Sequence, residues 1–295
     1  IMNLLKILYS SFIHTKNIYR SLFGNNIYLN TNNNDSELNK KNWSLSNIIA
    51  MISSIFIPTL PIYCPDWMPT IIKNTVFGGN SYFIEDNTFN ENLDTECILF
   101  VNGILTNKEI IYQNINLLKK IFNRPVHAVF NNTDSLIMDL IECMIGKQTN
   151  DLTEASFVTL SVISKLVLNP NIKKLIIICH SQGTIIMAQV LTNLSRFGLD
   201  KEYILKKMEI YAFANCSTKM KYIVNNYPYM EHLANENDII AKMGGNCHPD
   251  IEHLIDIDGK RIINPTGMGH LFNSHYLHNL TINFSKSKLL NYIDV

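Results

Sequence analysis

The residues of this chain best suited to chemistry lie where an apolar run ends in His180-Ser181-Gln182-Gly183. The run KLIIIC at 174–179 predicts a buried strand, and the apolar stripe over 186–197 predicts a helix. A serine on a sharp turn between strand and helix presents its hydroxyl above the carboxyl edge of a sheet. The helix amides and the positive end of the helix dipole then face a developing oxyanion. The pattern indicates a nucleophilic Ser181, although an ordinary N-cap serine also suits this position.

This segment resembles the strand–turn–helix of the α/β hydrolases, with Cys179 where the first glycine of G-x-S-x-G usually stands. The resemblance extends over residues 82–295. It implies that Ser181 is the nucleophile and that the backbone amide of Gln182 is one oxyanion donor. It also implies a second donor in the loop VNGILT after the strand at 96–101, with Ile104 as the candidate.

The same resemblance implies the chain order serine, acid, histidine, because a serine at its ordinary pKa needs a neutral imidazole and a carboxylate that fixes its tautomer. Asp238 comes just after the predicted strand at 229–234 and ahead of a short predicted helix, where the family places its acid. A helix cap is the other interpretation of Asp238. In that case Asp256 or Asp250 is the reserve acid.

The candidate histidines lie in TGMGHLFNSHYLHNL, near the end of the sequence. His270 follows a glycine-rich stretch and resembles the Gly-His pair late in many hydrolase chains, so we expect it to be the base. His275 is the reserve, and it shares one face of a predicted helix with His278. His180 is predicted to point away from the site as a wall or core histidine.

The elements that must position these residues alternate between short apolar runs and longer segments with helical spacing. The predicted strands are at 96–101, 126–130, 174–179, 209–213, 229–234 and part of 253–263. The predicted helices start at a capping box over 106–109, cover 137–145 and about 152–168, and follow Ser181 as far as Gly198. Strands without polar alternation, separated by helices, predict an α/β fold with a doubly wound, mostly parallel sheet.

The amino-terminal part of the sequence differs from the rest. Residues 1–23 are apolar and mildly basic, with no acidic residue before Asp35, and predict a membrane-surface helix or a targeting peptide. A terminal helix packed on the domain is the alternative. The Asn-rich stretch 30–42 predicts a loop or linker, and the apolar segment 45–57 predicts a buried helix or a lid.

We therefore divide the chain into a helical extension over 1–80 and an α/β-hydrolase-like catalytic domain over 81–295. The extension is expected to act as a lid, a membrane contact or a packing segment.

Charge and composition exclude several classes of protein. A content of 46% hydrophobic residues is enough for a large core, which excludes a disordered chain. Since 25 basic residues balance 25 acidic ones, there is no basic field for a nucleic-acid partner. No apolar run reaches the length of a membrane-spanning helix.

The cysteine and histidine patterns predict neither disulfides nor a metal site. The six cysteines are scattered without a C-x-x-C pair, which favours free thiols in a reducing, cytoplasm-like compartment. The histidines show no recognised zinc spacing, and there is no phosphate-binding glycine motif, so no cofactor is expected.

Together these features predict a serine hydrolase of the lipase or esterase kind that cleaves a carboxylic ester through an acyl-enzyme on Ser181. A lipid-like substrate and peripheral membrane contact are expected from the apolar amino-terminal segments. The alternative is a catalytically inactive scaffold or binding protein on the same fold.

Overall fold

The protein is described here by a computed structural model that covers residues 2–25, 33–42, 81–104, 106–131 and 152–293. The predicted lid segment 45–57 and the predicted helix over 137–145 lie outside the described residues. The helices are α1 Met2–Ile13, α2 Ile18–Phe23, α3 Lys108–Phe122, α4 Glu154–Leu168, α5 Gln182–Asn193, α6 Glu202–Leu205 and α7 Leu280–Asn283. The strands are β1 Tyr82–Ile84, β2 Glu96–Val101, β3 Val126–Phe130, β4 Lys174–His180, β5 Met208–Phe213, β6 Lys219–Met220, β7 Tyr229–Asn237, β8 Asp256–Ile257 and β9 Lys260–Met268.

Seven strands form one sheet in the order β1-β3-β2-β4-β5-β7-β9. Strand β1 is antiparallel to β3, and the other neighbours in this sheet are parallel. The chain winds outward in one direction from β2 and in the other from β4. The predicted doubly wound, mostly parallel α/β sheet is therefore confirmed. In such sheets the crevice at the carboxyl ends of the two strands where winding reverses is the usual place for a ligand.

The two faces of the sheet each bury one apolar layer, as the unbroken apolar runs predict. Alternate side chains of β2 and β4, such as Leu99 and Ile177, pack beneath α4 and α5. Their neighbours Phe100 and Ile178 pack on the opposite face with α3 and the carboxyl-terminal segments. Because Val101 pairs with Cys179, β2 and β4 end at the same level, and the loops that follow them meet.

Several element boundaries differ from the sequence predictions. The N-cap of α3 is Asn107, whose side chain accepts from the Ile110 amide at 2.8 Å, so the capping box starting at Thr106 is wrong by one residue. The Thr106 hydroxyl instead donates to the Gly103 carbonyl. Helix α5 ends at Asn193, and a separate 3₁₀ turn carries the chain to Gly198.

Two strands are longer than predicted. Strand β7 runs three residues past 234, to Asn237, and β9 continues through the glycine-rich stretch as far as Met268.

The described parts of the amino-terminal region pack on the domain. Helix α1 lies against the 3₁₀ helices Ala241–Met243 and Pro249–Leu254, and its Ile7 is buried beside Ile251. Residues 33–42, within the stretch predicted as a loop or linker, form turns and a short 3₁₀ helix that hydrogen-bond to the body of the protein. No helix within the described ranges has the length and apolarity that crossing a bilayer requires.

Candidate active site

Ser181 occupies a strained corner between β4 and α5. Its backbone has φ 56° and ψ −124°, a conformation that is uncommon for any residue except glycine and often marks a functional site. The Ser181 amide donates to the Phe213 carbonyl at 3.0 Å, which ties the corner to the end of β5. The serine side chain makes no capping hydrogen bond to α5, so the structure does not use it as an ordinary N-cap.

Two glycines allow this corner to form. A Cβ atom at Gly183 would collide with the Val101 carbonyl oxygen and lie 2.9 Å from that of Asn102, so α5 can approach β2 only without a side chain there. A Cβ atom at Gly103 would lie 2.7 Å from the Ser181 Cβ. The loop after β2 therefore passes directly beside the serine. The cysteine at 179 is accommodated, because its side chain is buried in the layer below the sheet.

A hydrogen-bonded chain joins the serine to a histidine and an acid. The Ser181 Oγ lies 2.9 Å from Nε2 of His270, and His270 Nδ1 lies 2.8 Å from Oδ2 of Asp238. Asp238 is fully buried, whereas the His270 side chain retains 16% exposure. With the proton on Nδ1, the ring donates to the carboxylate and offers a lone pair to the serine hydroxyl. The structure thus brings together the serine, acid and histidine that the sequence selects.

Asp238 accepts hydrogen bonds at both of its oxygens. Its Oδ2 also accepts from the Tyr276 hydroxyl at 2.6 Å, and its Oδ1 accepts from the amides of Ile240 and Ala241 at 2.9 and 3.4 Å. Four donors around one buried carboxylate fix its orientation. Sequence reasoning missed Tyr276, and no local pattern marks it.

The backbone of His270 is held from two sides. Its amide donates to the Leu22 carbonyl of α2 at 2.9 Å, and its carbonyl lies 2.8 Å from Nε2 of His180. Burial lowers the pKa of His180 well below its usual value, so this ring is neutral and donates from Nε2. The His180 and His270 rings also contact each other, with centroids 4.7 Å apart. The predicted wall histidine therefore supports the loop of His270.

The reserve candidates lie elsewhere. His275 accepts from the Leu271 amide at Nδ1, and burial lowers its pKa to about 4. Asp256 forms an ion pair with Lys221 at 2.8 Å. Asp250 accepts from Ser10 and His248, and His278 is exposed at the end of the π-helix Phe272–Leu277.

A network of amides shapes the loop after β2, where the second oxyanion donor is expected. Asn102 donates to the Gly103 carbonyl at 2.7 Å and accepts from the Asn131 amide at 2.7 Å. The Asn131 side chain donates to Oε1 of Gln182 at 2.5 Å. Gln182 begins α5, so its backbone amide is among the first amides of a helix, which have no carbonyl partner within that helix. Ile104, the expected second donor, is the next residue of this loop after Gly103. The sequence prediction did not include Gly103, which packs directly on Ser181.

One group of possible metal ligands occurs among the described residues, formed by His14, His248 and Asp250. The two imidazole rings are stacked, with centroids 3.5 Å apart and planes 11° apart. Because ring lone pairs lie in the ring plane, parallel stacked rings do not direct them at one point. His14 bonds the Ser10 carbonyl and His248 bonds Asp250, so the cluster links α1 to the body of the protein.

Three features determine the fold assignment. They are the order of strands in the sheet, the strained serine corner where the winding reverses, and the acid and histidine that lie in later loops. The fold is α/β-hydrolase-like. Among the described residues, the α/β-hydrolase-like domain provides the sheet, and α1 and α2 pack against it.

Comparison with known proteins gives remote structural likenesses to α/β hydrolases. No family model and no curated protein matches the chain. A hyperthermophilic esterase from the archaeon Pyrobaculum calidifontis aligns over 89% of this chain and 87% of its own, at 7% identity and a TM-score of 0.41. A dienelactone hydrolase from Anabaena variabilis aligns over 72% and 88%, at 10% identity and a TM-score of 0.36.

Mouse alpha/beta hydrolase domain-containing protein 10 aligns over 64% of this chain and 85% of its own, at 10% identity and a TM-score of 0.34. Since these likenesses are remote, the α/β-hydrolase-like fold assignment depends on the chain's own sheet order and serine corner.

Proposed function

We propose that this protein is a serine hydrolase that cleaves a carboxylic ester through an acyl-enzyme on Ser181. The observation that carries the proposal is the continuous hydrogen-bonded path from Ser181 Oγ through His270 to Asp238, at 2.9 and 2.8 Å. These distances are within the range over which a nucleophile, its base and the orienting acid cooperate. The same geometry favours an enzyme over the alternative of an inactive scaffold.

In the first half of the reaction, Ser181 Oγ attacks the ester carbonyl carbon while His270 Nε2 takes the hydroxyl proton. The carbonyl double bond becomes a single bond to an oxyanion. Collapse of this intermediate breaks the bond to the leaving alcohol, which receives the proton from His270. The product is an ester between the acyl group and Ser181.

In the second half, His270 takes a proton from water, and the resulting hydroxide attacks the acyl carbon. The acid is released and Ser181 recovers its proton. Asp238 remains charged throughout and stabilises the imidazolium that forms in each half. We assign the backbone amides of Gln182 and Ile104 to the oxyanion, since both belong to the segments that meet above Ser181.

We propose that residues 81–295 form the catalytic domain and that the substrate is a lipid-like ester. Support for the substrate class comes from the apolar side chains that α1 exposes. Helix α1 belongs to the extension over 1–80, and α2 of the same extension bonds the backbone of His270. The proposed reaction needs no cofactor.

The proposal is tested by labelling the full chain with a fluorophosphonate probe and by measuring turnover of p-nitrophenyl esters of increasing acyl length. Ser181→Ala is expected to lose both labelling and turnover. Ser161→Ala is the matched control, because Ser161 is exposed on α4 and bonds only its own helix. Labelling that persists in Ser181→Ala would refute the assignment, and a folded wild-type protein without labelling or turnover would favour the scaffold.

A further inference from the structure

Helix α1 carries apolar side chains on both its inward and its outward face. Its inward face buries Ile7, with Leu8 packed against the same cluster, together with the small polar residues Ser10 and Ser11. Its outward face exposes five large apolar side chains, each between 51% and 71% exposed: Met2, Leu5, Tyr9, Phe12 and Ile13. A surface helix of a globular protein ordinarily places its apolar stripe toward the core. The outward stripe of α1 is therefore without an apolar environment in the part of the chain that the structure describes.

The apolar surface continues into the next segment. Ile18 and Tyr19 at the start of α2 are also exposed. Of the fifteen exposed large apolar side chains among the described residues, seven lie between residues 2 and 19. Such concentration in one short stretch marks an interaction surface, whereas single exposed apolar residues elsewhere are ordinary. We call these seven residues the apolar patch.

Every charged side chain of α1 and α2, and of the residues between them, is basic, and the neighbouring Asp250 bonds Ser10 on the inward face of α1. Lys6, Lys16 and Arg20 are exposed, and residues 2–25 contain no aspartate or glutamate. Basic residues beside an apolar helical face attract anionic lipid headgroups, while apolar and aromatic side chains enter the boundary between headgroups and acyl chains. Tyr9 and Tyr19 have the amphipathic rings that such a boundary favours.

The inward face of α1 is fastened to the protein, so the apolar patch is held outward. Ser10 Oγ donates to Asp250 at 2.8 Å, and the His14 ring stacks on that of His248. Lys242 Nζ donates to the His14 carbonyl at 2.6 Å, which caps the carboxyl end of α1. Rotation of α1 to hide its outer stripe would break these contacts and expose Ile7.

We propose that the apolar patch, with Lys6, Lys16 and Arg20, docks on the surface of an anionic lipid bilayer. If the protein hydrolyses esters as proposed, docking narrows the substrate class to an ester lipid of the membrane. This statement about the substrate depends on the proposed function. The connection to the site is short, because Leu22 of α2 accepts the backbone hydrogen bond of His270. A docked α1 and α2 therefore place the catalytic histidine near the lipid surface.

The test is co-sedimentation of the full chain carrying Ser181→Ala with phosphatidylcholine vesicles, with and without phosphatidylserine. Because this variant cannot turn over lipid, binding is measured independently of catalysis. We expect binding to the phosphatidylserine vesicles that weakens as salt rises. Replacement of Lys6, Lys16 or Arg20 by glutamine, one at a time, is expected to weaken binding to phosphatidylserine vesicles about fivefold at low salt.

The apolar contribution is tested with Leu5→Ser, Tyr9→Ser and Phe12→Ser combined, which should weaken vesicle binding by more than about tenfold. The matched control combines Phe157→Ser, Leu168→Ser and Ile282→Ser, three similarly exposed side chains outside the apolar patch. This control should bind as the parent does. Urea denaturation of both triple variants reports whether they fold, independently of catalysis.

Three results would overturn the proposal. The first is no vesicle binding by the folded parent. The second is equal binding by the patch variant and the control. The third is a dimer in light scattering that only the patch variant dissociates, without vesicle binding, since the apolar patch would then cover a second copy. Failure of ester hydrolysis with intact vesicle binding would instead overturn the proposed function alone.

Discussion

The strongest single test of the proposed triad is Asp238→Asn, because every neighbour of this carboxylate donates a hydrogen bond. His270 and Tyr276 donate to Oδ2, and the amides of Ile240 and Ala241 donate to Oδ1. An asparagine has one accepting oxygen and one donating nitrogen. In either orientation of the asparagine amide, its NH₂ group therefore faces groups that donate hydrogen bonds to the carboxylate in the wild type.

The orientation of the asparagine amide determines whether the substitution lowers kcat or destabilises the fold. If its oxygen faces the backbone amides, its nitrogen faces His270 and forces the proton from Nδ1 to Nε2, so the ring can no longer accept from Ser181. Loss of the correct tautomer in a triad of this kind lowers kcat by about 10⁴-fold, or about 5 kcal/mol of barrier. If its nitrogen faces Ile240 and Ala241, both backbone amides lose an acceptor, and the loss at the buried amide of Ala241 alone costs about 1–3 kcal/mol of stability.

The assay is kcat and kcat/KM for a short p-nitrophenyl ester, with the free energy of unfolding from urea denaturation. We expect a folded Asp238→Asn protein with turnover reduced by about three to four orders of magnitude. Asp250→Asn and Asp256→Asn are the controls, since these carboxylates bond Ser10 and Lys221 instead. Near-normal turnover in Asp238→Asn, or a comparable loss in either control, would refute the assignment of the acid.

Two further predictions concern how the site is positioned. Gly183→Ala should destabilise the protein by about 1–3 kcal/mol and reduce fluorophosphonate labelling, because its Cβ meets the Val101 carbonyl; an unchanged melting temperature would contradict this. Burial raises the pKa of Glu37, so its folded form binds a proton more tightly than the unfolded chain does. The free energy of unfolding of the wild type, relative to that of Glu37→Gln, should therefore increase as pH falls from neutral through the raised pKa. Urea denaturation at several pH values measures this difference. A difference that is independent of pH, or that shrinks as pH falls, would contradict the prediction.

The fold was predictable because the central strands β2 and β4 are apolar over most of their length. Residues 96–101 and 126–130 coincide with β2 and β3, in which only Glu96 and His127 are polar, since strands covered on both faces are mostly apolar. The cap of α3 was misplaced by one residue because Thr106 and Asn107 are both good caps. The two residues differ because the Thr106 hydroxyl donates to the Gly103 carbonyl and does not cap the helix. That hydrogen bond forms only in the folded loop, so the sequence does not reveal it.

The three residues proposed as the triad were selected from chain order and from the ends of predicted elements. The residues that hold them were not, because their contacts depend on tertiary packing. Tyr276 reaches Asp238 only because a π-helix turns its ring into the core between Phe213 and Phe284. Glu37 lies in a polar stretch that predicts a loop or linker, yet it is buried and accepts from the amides of Asn273 and Ser274.

These contacts give the amino-terminal segments a direct part in the geometry of the site. Leu22 bonds the His270 backbone, and Glu37 caps the π-helix that starts two residues after His270, as a carboxylate at a helix N-terminus does. Both attachments act on the loop that must hold the imidazole within hydrogen-bond distance of Ser181. A misplacement of about 1 Å at such a site lowers rates about 100-fold. A force applied to α1 and α2, as by docking on a lipid surface, would therefore reach His270, the proposed base, through contacts that include the backbone hydrogen bond to Leu22.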